Sequence, residues 1–74
     1  MANKEECIIV TFETMSDAMN LESKCHNGRI IPVPSFIKAG CGMCFMSKDL
    51  DKEKWKSYLD KNQIRYEEIY KVEF

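Results

Sequence analysis

Two cysteines, Cys41 and Cys44, stand three residues apart in the middle of the chain. This spacing is shared by redox couples and by halves of metal sites, but also by a single nucleophile with an unrelated neighbour or by two packing residues. Cys41 lies between Gly40 and Gly42, which leave room for a substrate or another sulfur to approach. Cys44 lies inside an apolar run, which is typical of a buried cysteine. The pattern therefore favours Cys41 as the reactive sulfur.

The C-x-x-C spacing does not by itself make these thiols a pair. In a strand that begins at Cys41, three extended residues separate the α-carbons of Cys41 and Cys44 by roughly 10 Å, and the side chains point to opposite faces. A disulfide needs α-carbons about 4.4–6.8 Å apart. This geometry favours a single nucleophile at Cys41. Thiol–disulfide exchange between Cys41 and Cys44 needs a bend at the strand start, which the flanking glycines allow, and it remains an alternative.

A metal site within one chain is not predicted. Tetrahedral zinc and iron sites take four ligands, usually as two close pairs, and this sequence has one close cysteine pair. The sole histidine, His26, is expected at the far end of the first helix, where the dipole favours it. Cys7 and Cys25 are interpreted as packing residues. We expect no metal and no cofactor, and the remaining alternative is a metal site shared across a dimer.

The composition bounds the class of protein. The chain has 74 residues, of which 45% are hydrophobic, and this predicts one domain over residues 1–74 with a small core. The 11 basic and 12 acidic residues nearly cancel, so nucleic-acid binding by phosphate neutralisation has no support. The first apolar run, "CIIVTF", is too short to cross a membrane, and no signal-peptide pattern precedes it. We therefore expect a cytoplasmic protein with reduced thiols and no membrane association.

Hydrophobic patterning predicts the element order βαββαβ. The first helix is expected to begin after an N-cap at Thr14, with Asp17 at its third position and Gly28 at its C′-like end. Met15, Ala18 and Met19 are expected to line its core face, and Cys25 is a candidate for the same face. Strands are predicted at residues 7–12, 29–34, 41–47 and 64–74. The second helix is predicted to be capped by Ser47 or Asp49, to end at Asn62 and to bury Leu50, Trp55, Tyr58 and Leu59.

This order predicts an α+β, ferredoxin-like split βαβ fold, with two helices on one face of a four-stranded antiparallel sheet. The spatial strand order in that fold is 4-1-3-2. Pro32 and Pro34 lack amide donors, so their strand belongs at an edge, where the fold places strand 2. The apolar strands 1 and 3 fall in the centre. Because both faces of these strands are apolar, the face without helices is expected to meet a second subunit or a partner.

The predicted fold places Cys41 at one rim of the sheet, with Phe12 and Thr14. A thiol near a helix N-terminus or a cation ionises more readily. Lys38, three residues before Cys41, adds to this effect, whereas Asp17 opposes it. We therefore expect an accessible sulfur at the rim.

The stretch "RIIPVPSFIKAGCGMCF" resembles the selenium/sulfur (Se/S) carrier protein-like family, a domain of unknown function. The likeness spans nearly the whole chain, from "IIVTF" through "IIPVP" and "CG" to "IYKV". Pro32, Pro34, Cys41 and Gly42 match the family's pattern, with six residues between the second proline and the cysteine. Arginine often follows the second proline in the family, and Lys38 is the candidate to supply that cation here. The resemblance implies that Cys41 carries the sulfur.

Our leading hypothesis is a carrier rather than an autonomous enzyme. Cys41 accepts sulfur or selenium, holds it as a persulfide or perselenide, and passes it between donor and acceptor proteins. Cys44 is a possible resolving or auxiliary thiol. The alternatives are thiol–disulfide exchange and a non-catalytic binding module that uses the open sheet face. A homodimer that forms through the sheet face or through an edge strand is a further alternative.

Overall fold

The computed structural model describes residues 6–25, 27–38 and 40–73. In chain order the elements are β1 (Glu6–Thr11), α1 (Met15–Lys24), β2 (Arg29–Pro32), β3 (Met43–Ser47), α2 (Lys52–Lys61) and β4 (Glu68–Glu73). The strands form one antiparallel sheet in the order β2-β3-β1-β4. The protein therefore has the α+β, ferredoxin-like βαββαβ fold that the sequence predicts. The edge position of β2, which ends at Pro32, and the central positions of β1 and β3 are also confirmed.

Both helices cover the same face of the sheet. On that face, Val10 of β1 lies opposite Phe45 of β3 and Ile69 of β4. The buried side chains of the two helices join these residues in one apolar cluster, and they are Ala18, Leu21, Trp55 and Leu59. Burial of this cluster supplies most of the apolar driving force for folding.

The opposite face, which we call the open face, has a second cluster. Cys7 and Ile9 of β1 and Cys44 of β3 are buried there together with Ile37, which comes from the loop between β2 and β3. That loop therefore covers part of the open face with the chain's own side chain. The expectation that this face meets a second subunit or another partner stays a prediction.

The core face of α1 differs from the predicted one. Ala18 and Leu21 are buried, whereas Met15 and Met19 are 44% and 58% exposed. Residues 18 and 21 are three apart and share one helix face, and the two methionines lie to one side of it. The prediction of Ala18 was correct, and that of Met15 and Met19 was wrong.

Gly28 does not have the role predicted for it. The helix ends at Lys24, with Cys25 as its C-cap, and no described glycine has a positive φ. Close packing against β3 explains instead why a residue without a side chain occupies position 28. A Cβ atom at position 28 would lie 2.3 Å from the carbonyl oxygen of Met46 and 2.6 Å from the ring of Phe45.

The second helix begins later than predicted. Asp51 is its N-cap, and its side chain accepts a hydrogen bond from the Lys54 amide at 3.1 Å. Ser47 and Asp49, the predicted caps, instead form the preceding turn, in which the Ser47 hydroxyl accepts from the Asp49 amide at 3.1 Å. The predicted end at Asn62 is confirmed.

Two strands also begin later than predicted. The third strand begins at Met43, because residues 40–42 form a bend before it, which we call the Cys41 bend. The last strand begins at Glu68, because the chain first closes α2: Gln63 has a φ of 56°, and the Ile64 amide bonds back to Leu59 at 2.9 Å.

Candidate functional site

The bend that holds Cys41 is attached to the end of β1. The Cys41 amide donates to the carbonyl of Phe12 at 3.1 Å. Two residues after Phe12, Thr14 caps α1 by accepting a hydrogen bond from the Asp17 amide at 3.3 Å. The Cys41 backbone therefore lies near the amino end of α1, at the rim that the sequence predicts. Asp17 places a carboxylate at that same helix end, where it offsets the positive end of the dipole.

The Cys41 side chain is half-buried. It packs against the cluster on the helix side of the sheet, and its Sγ donates a hydrogen bond to the carbonyl of Met43 at 3.1 Å. Ionisation of the thiol would break this bond, because a thiolate has no proton to donate. Cys41 is thus partly buried, and its thiol is hydrogen-bonded to the chain just after it.

The two glycines beside Cys41 have different surroundings. A Cβ at Gly42 would meet nothing within 4 Å, so this side of Cys41 is open space. A Cβ at Gly40 would lie 3.0 Å from the Cα of Glu13 and 3.2 Å from a carboxylate oxygen of Glu67. Gly42 therefore leaves room for an approaching group, whereas Gly40 allows close packing of the bend against its neighbours.

This difference predicts opposite results for two alanine variants. Gly40→Ala should lower the free energy of unfolding by about 1–2 kcal/mol, because the Glu13 backbone has little freedom to move. Gly42→Ala should be neutral or stabilising by up to about 1 kcal/mol, because alanine restricts the unfolded chain. Urea denaturation of both variants measures the two values. Equal destabilisation by the two alanines would contradict the packing described for Gly40.

The end of β2 and the loop that follows it carry three further predicted site residues, Pro32, Pro34 and Lys38. Pro32 pairs with Met43 at the end of the β2–β3 ladder, and Val33 extends that ladder by donating its amide to the Gly42 carbonyl at 3.0 Å. The carbonyl of Pro34 accepts from the Ile37 amide at 3.0 Å, which closes a turn.

Lys38 lies in the same loop, and its side chain is exposed. The structure therefore places the two prolines and Lys38 in the segment that leads into Cys41. Their roles in binding stay predictions.

Cys44 has surroundings unlike those of Cys41. It is 0% exposed and belongs to the open-face cluster, so the sheet lies between its side chain and the cluster that Cys41 contacts. Burial raises the pKa of Cys44 from 9.0 to about 11, and the negative charges of ionised Cys41 and Cys7 add to the effect. Cys44 is therefore a protonated thiol at neutral pH. Within the described residues, which include all four cysteines, no disulfide is formed.

The raised pKa of Cys44 predicts a loss of stability at alkaline pH. Between about pH 9 and 11 the unfolded chain releases the Cys44 proton while the folded protein keeps it. The free energy of unfolding should therefore be unaffected by this group below pH 9 and fall by roughly 1–3 kcal/mol as the pH rises to 11. Denaturation curves at several pH values measure the slope. Cys44→Ala is the control, and an identical slope in that variant would contradict the assignment.

Sequence reasoning missed two residues that contact the Cys41 bend. These are Glu13, whose backbone lies beside the position of a Cβ atom at Gly40, and Glu67, whose carboxylate accepts a hydrogen bond from the Gly40 amide. No local motif marks them, and only the antiparallel register of β1 with β4 places residue 67 beside the end of β1.

A metal site and a membrane span were not expected. Across residues 6–25, 27–38 and 40–73, no group of three or more histidine, cysteine, aspartate or glutamate side chains could hold a metal ion. In the same part of the chain, no helix is long and apolar enough to cross a bilayer. His26 lies outside the described residues.

Comparison with known proteins gives one match. A family described as "Putative Se/S carrier protein-like" matches residues 6–71, which is most of the chain. No curated protein and no solved structure matches.

Proposed function

This chain belongs to the Se/S carrier protein-like family, and on that premise we propose that it carries sulfur or selenium on Cys41. The sulfur of Cys41 accepts the chalcogen from a donor protein, holds it as a persulfide or perselenide, and delivers it to an acceptor protein. The protein acts as a carrier in this scheme, and the chemistry that mobilises the chalcogen belongs to the donor.

The transfer step needs no external oxidant or reductant. The Cys41 thiolate attacks the outer sulfur of a donor persulfide, and a new S–S bond forms between Cys41 and that sulfur. The S–S bond of the donor breaks at the same time, and the donor cysteine leaves as a thiolate. Delivery repeats the step, with an acceptor thiolate attacking the outer sulfur on Cys41. A perselenide is formed and delivered in the same way.

The observation that carries the proposal is the position of Cys41. Its half-buried side chain lies on a bend at the sheet rim, next to the open space at Gly42. A sulfur that exchanges cargo between proteins has to be reachable by a second protein's sulfur. The exposed Lys38 in the same loop is a suitable cation for an anionic persulfide.

The proposal assigns transfer to Cys41 alone and keeps Cys44 as an auxiliary thiol. A resolving attack by Cys44 on the Cys41 adduct would require the buried strand β3 to open locally, because Cys44 is fully buried on the other face. The proposal also places the protein in the cytoplasm, where thiols stay reduced.

Intact mass spectrometry tests the proposal. Reduced protein is incubated with a cysteine desulfurase and cysteine, and the products are alkylated to trap persulfides. We expect a species one sulfur atom heavier than the alkylated, unloaded protein, and a reductant should release that sulfur together with its alkyl group and leave a free thiol on Cys41. A protein that gains no sulfur under conditions in which the desulfurase is active would contradict the proposal.

A further inference from the structure

The geometry points to Glu67 as a positioning residue for the Cys41 bend, an inference that rests on the carrier function proposed above. Glu67 lies immediately before β4, and its side chain is exposed. Its carboxylate reaches Gly40, beside the carrier cysteine, although the two residues are 27 positions apart in the sequence.

Glu67 links the Cys41 bend to the sheet through two hydrogen bonds. Its own amide donates to the Thr11 carbonyl at 2.7 Å, which fixes Glu67 against the end of β1. Its carboxylate oxygen Oε1 accepts from the Gly40 amide at 2.5 Å. The next amide, that of Cys41, donates to Phe12. Two consecutive amides of the bend are therefore held from the same end of β1, one directly and one through Glu67.

The carboxylate suits this position because its hydrogen bond to an amide is charge-assisted and therefore stronger than a neutral one. The absence of a side chain at Gly40 permits the approach, since a Cβ there would lie 3.2 Å from Oε1 of Glu67. The Glu67 contact adds to the Cys41–Phe12 hydrogen bond in fixing the bend against the end of β1. Glu67 thus limits how far the sulfur moves relative to the rim.

The same carboxylate also carries a negative charge, so its hydrogen bond and its charge are separate contributions. Positioning and charge can be separated by substitution. Glu67→Gln keeps an oxygen that accepts the Gly40 amide and removes the charge, whereas Glu67→Ala removes both.

Amide hydrogen exchange measured by NMR tests the contact directly. In Glu67→Ala we expect exchange at the Gly40 and Cys41 amides to rise about tenfold, because a charge-assisted hydrogen bond is lost. Glu67→Gln should keep both rates within about threefold of the natural chain. Glu68→Ala removes a charge one residue away, from a side chain that bonds its neighbour Ile69, and should leave both amides unchanged.

Sulfur loading of the same variants supplies the functional readout. We expect loading to slow about tenfold in Glu67→Ala and to return to within about threefold of the natural rate in Glu67→Gln. Unchanged amide exchange in Glu67→Ala, or slow loading that glutamine does not restore, would overturn the inference. If the natural chain accepts no sulfur while the exchange rates respond as expected, the carrier function fails and the positioning contact stands.

Discussion

Serine in place of Cys41 is expected to abolish sulfur loading while leaving the fold intact. An alcohol is not ionised at neutral pH, so it lacks the nucleophile that attacks a donor persulfide. The serine hydroxyl can donate to the Met43 carbonyl, as the thiol does at 3.1 Å. Intact mass spectrometry after desulfurase treatment should show the adduct reduced to below about one hundredth of that in the natural chain.

Cys25→Ser is the matched control for this prediction. Cys25 is also half-buried and also packs against the helix-side cluster, but it is the C-cap of α1. Its replacement should leave loading unchanged. Loading that survives Cys41→Ser, or that disappears in Cys25→Ser, would contradict the assignment of the carrier sulfur.

Phe45→Ala should give the largest loss of stability, about 3–5 kcal/mol. Phe45 is fully buried on the central strand β3, opposite Val10 and Ile30. Its ring makes an edge-to-face contact with Trp55 at a centroid distance of 5.7 Å. The free energy of unfolding of a small domain is about 5–15 kcal/mol, so this loss is a large fraction of the total. Urea denaturation followed by Trp55 fluorescence measures the change.

Phe36→Ala is the matched control for that measurement. Phe36 is 63% exposed, so the same truncation should change stability by about 0.5 kcal/mol or less. Phe45→Leu should cost less than alanine, about 1–2 kcal/mol, because leucine fills more of the space. Equal effects at positions 36 and 45 would contradict the placement of Phe45 in the core.

The sheet was predictable because the sequence patterns that indicate its strands involve residues that are neighbours along the chain. The apolar run "CIIVTF" predicts a central strand, and Pro32 confines its strand to an edge. The helix start at Thr14 follows from hydrogen-bond chemistry that involves only neighbouring residues. These features depend on spacing along the chain, and the structure confirms them.

The features that were mispredicted or missed depend on contacts between distant parts of the chain. Gly28 was assigned to a helix end, but its packing against Met46 becomes visible only once the strands are paired. Glu67 and Gly40 meet because β4 pairs with β1, which no local pattern indicates. Asp51 caps α2 because Ser47 and Asp49 are already used in the turn before it.

The most direct test of the central claim is the location of the transferred sulfur within the chain. The natural protein is loaded by a desulfurase, alkylated, digested and analysed by tandem mass spectrometry. We predict that the added sulfur is on Cys41, and that the other three cysteines, Cys7, Cys25 and Cys44, carry the alkyl group alone or remain protected by burial. An added sulfur on any of those three, with none on Cys41, would contradict the claim.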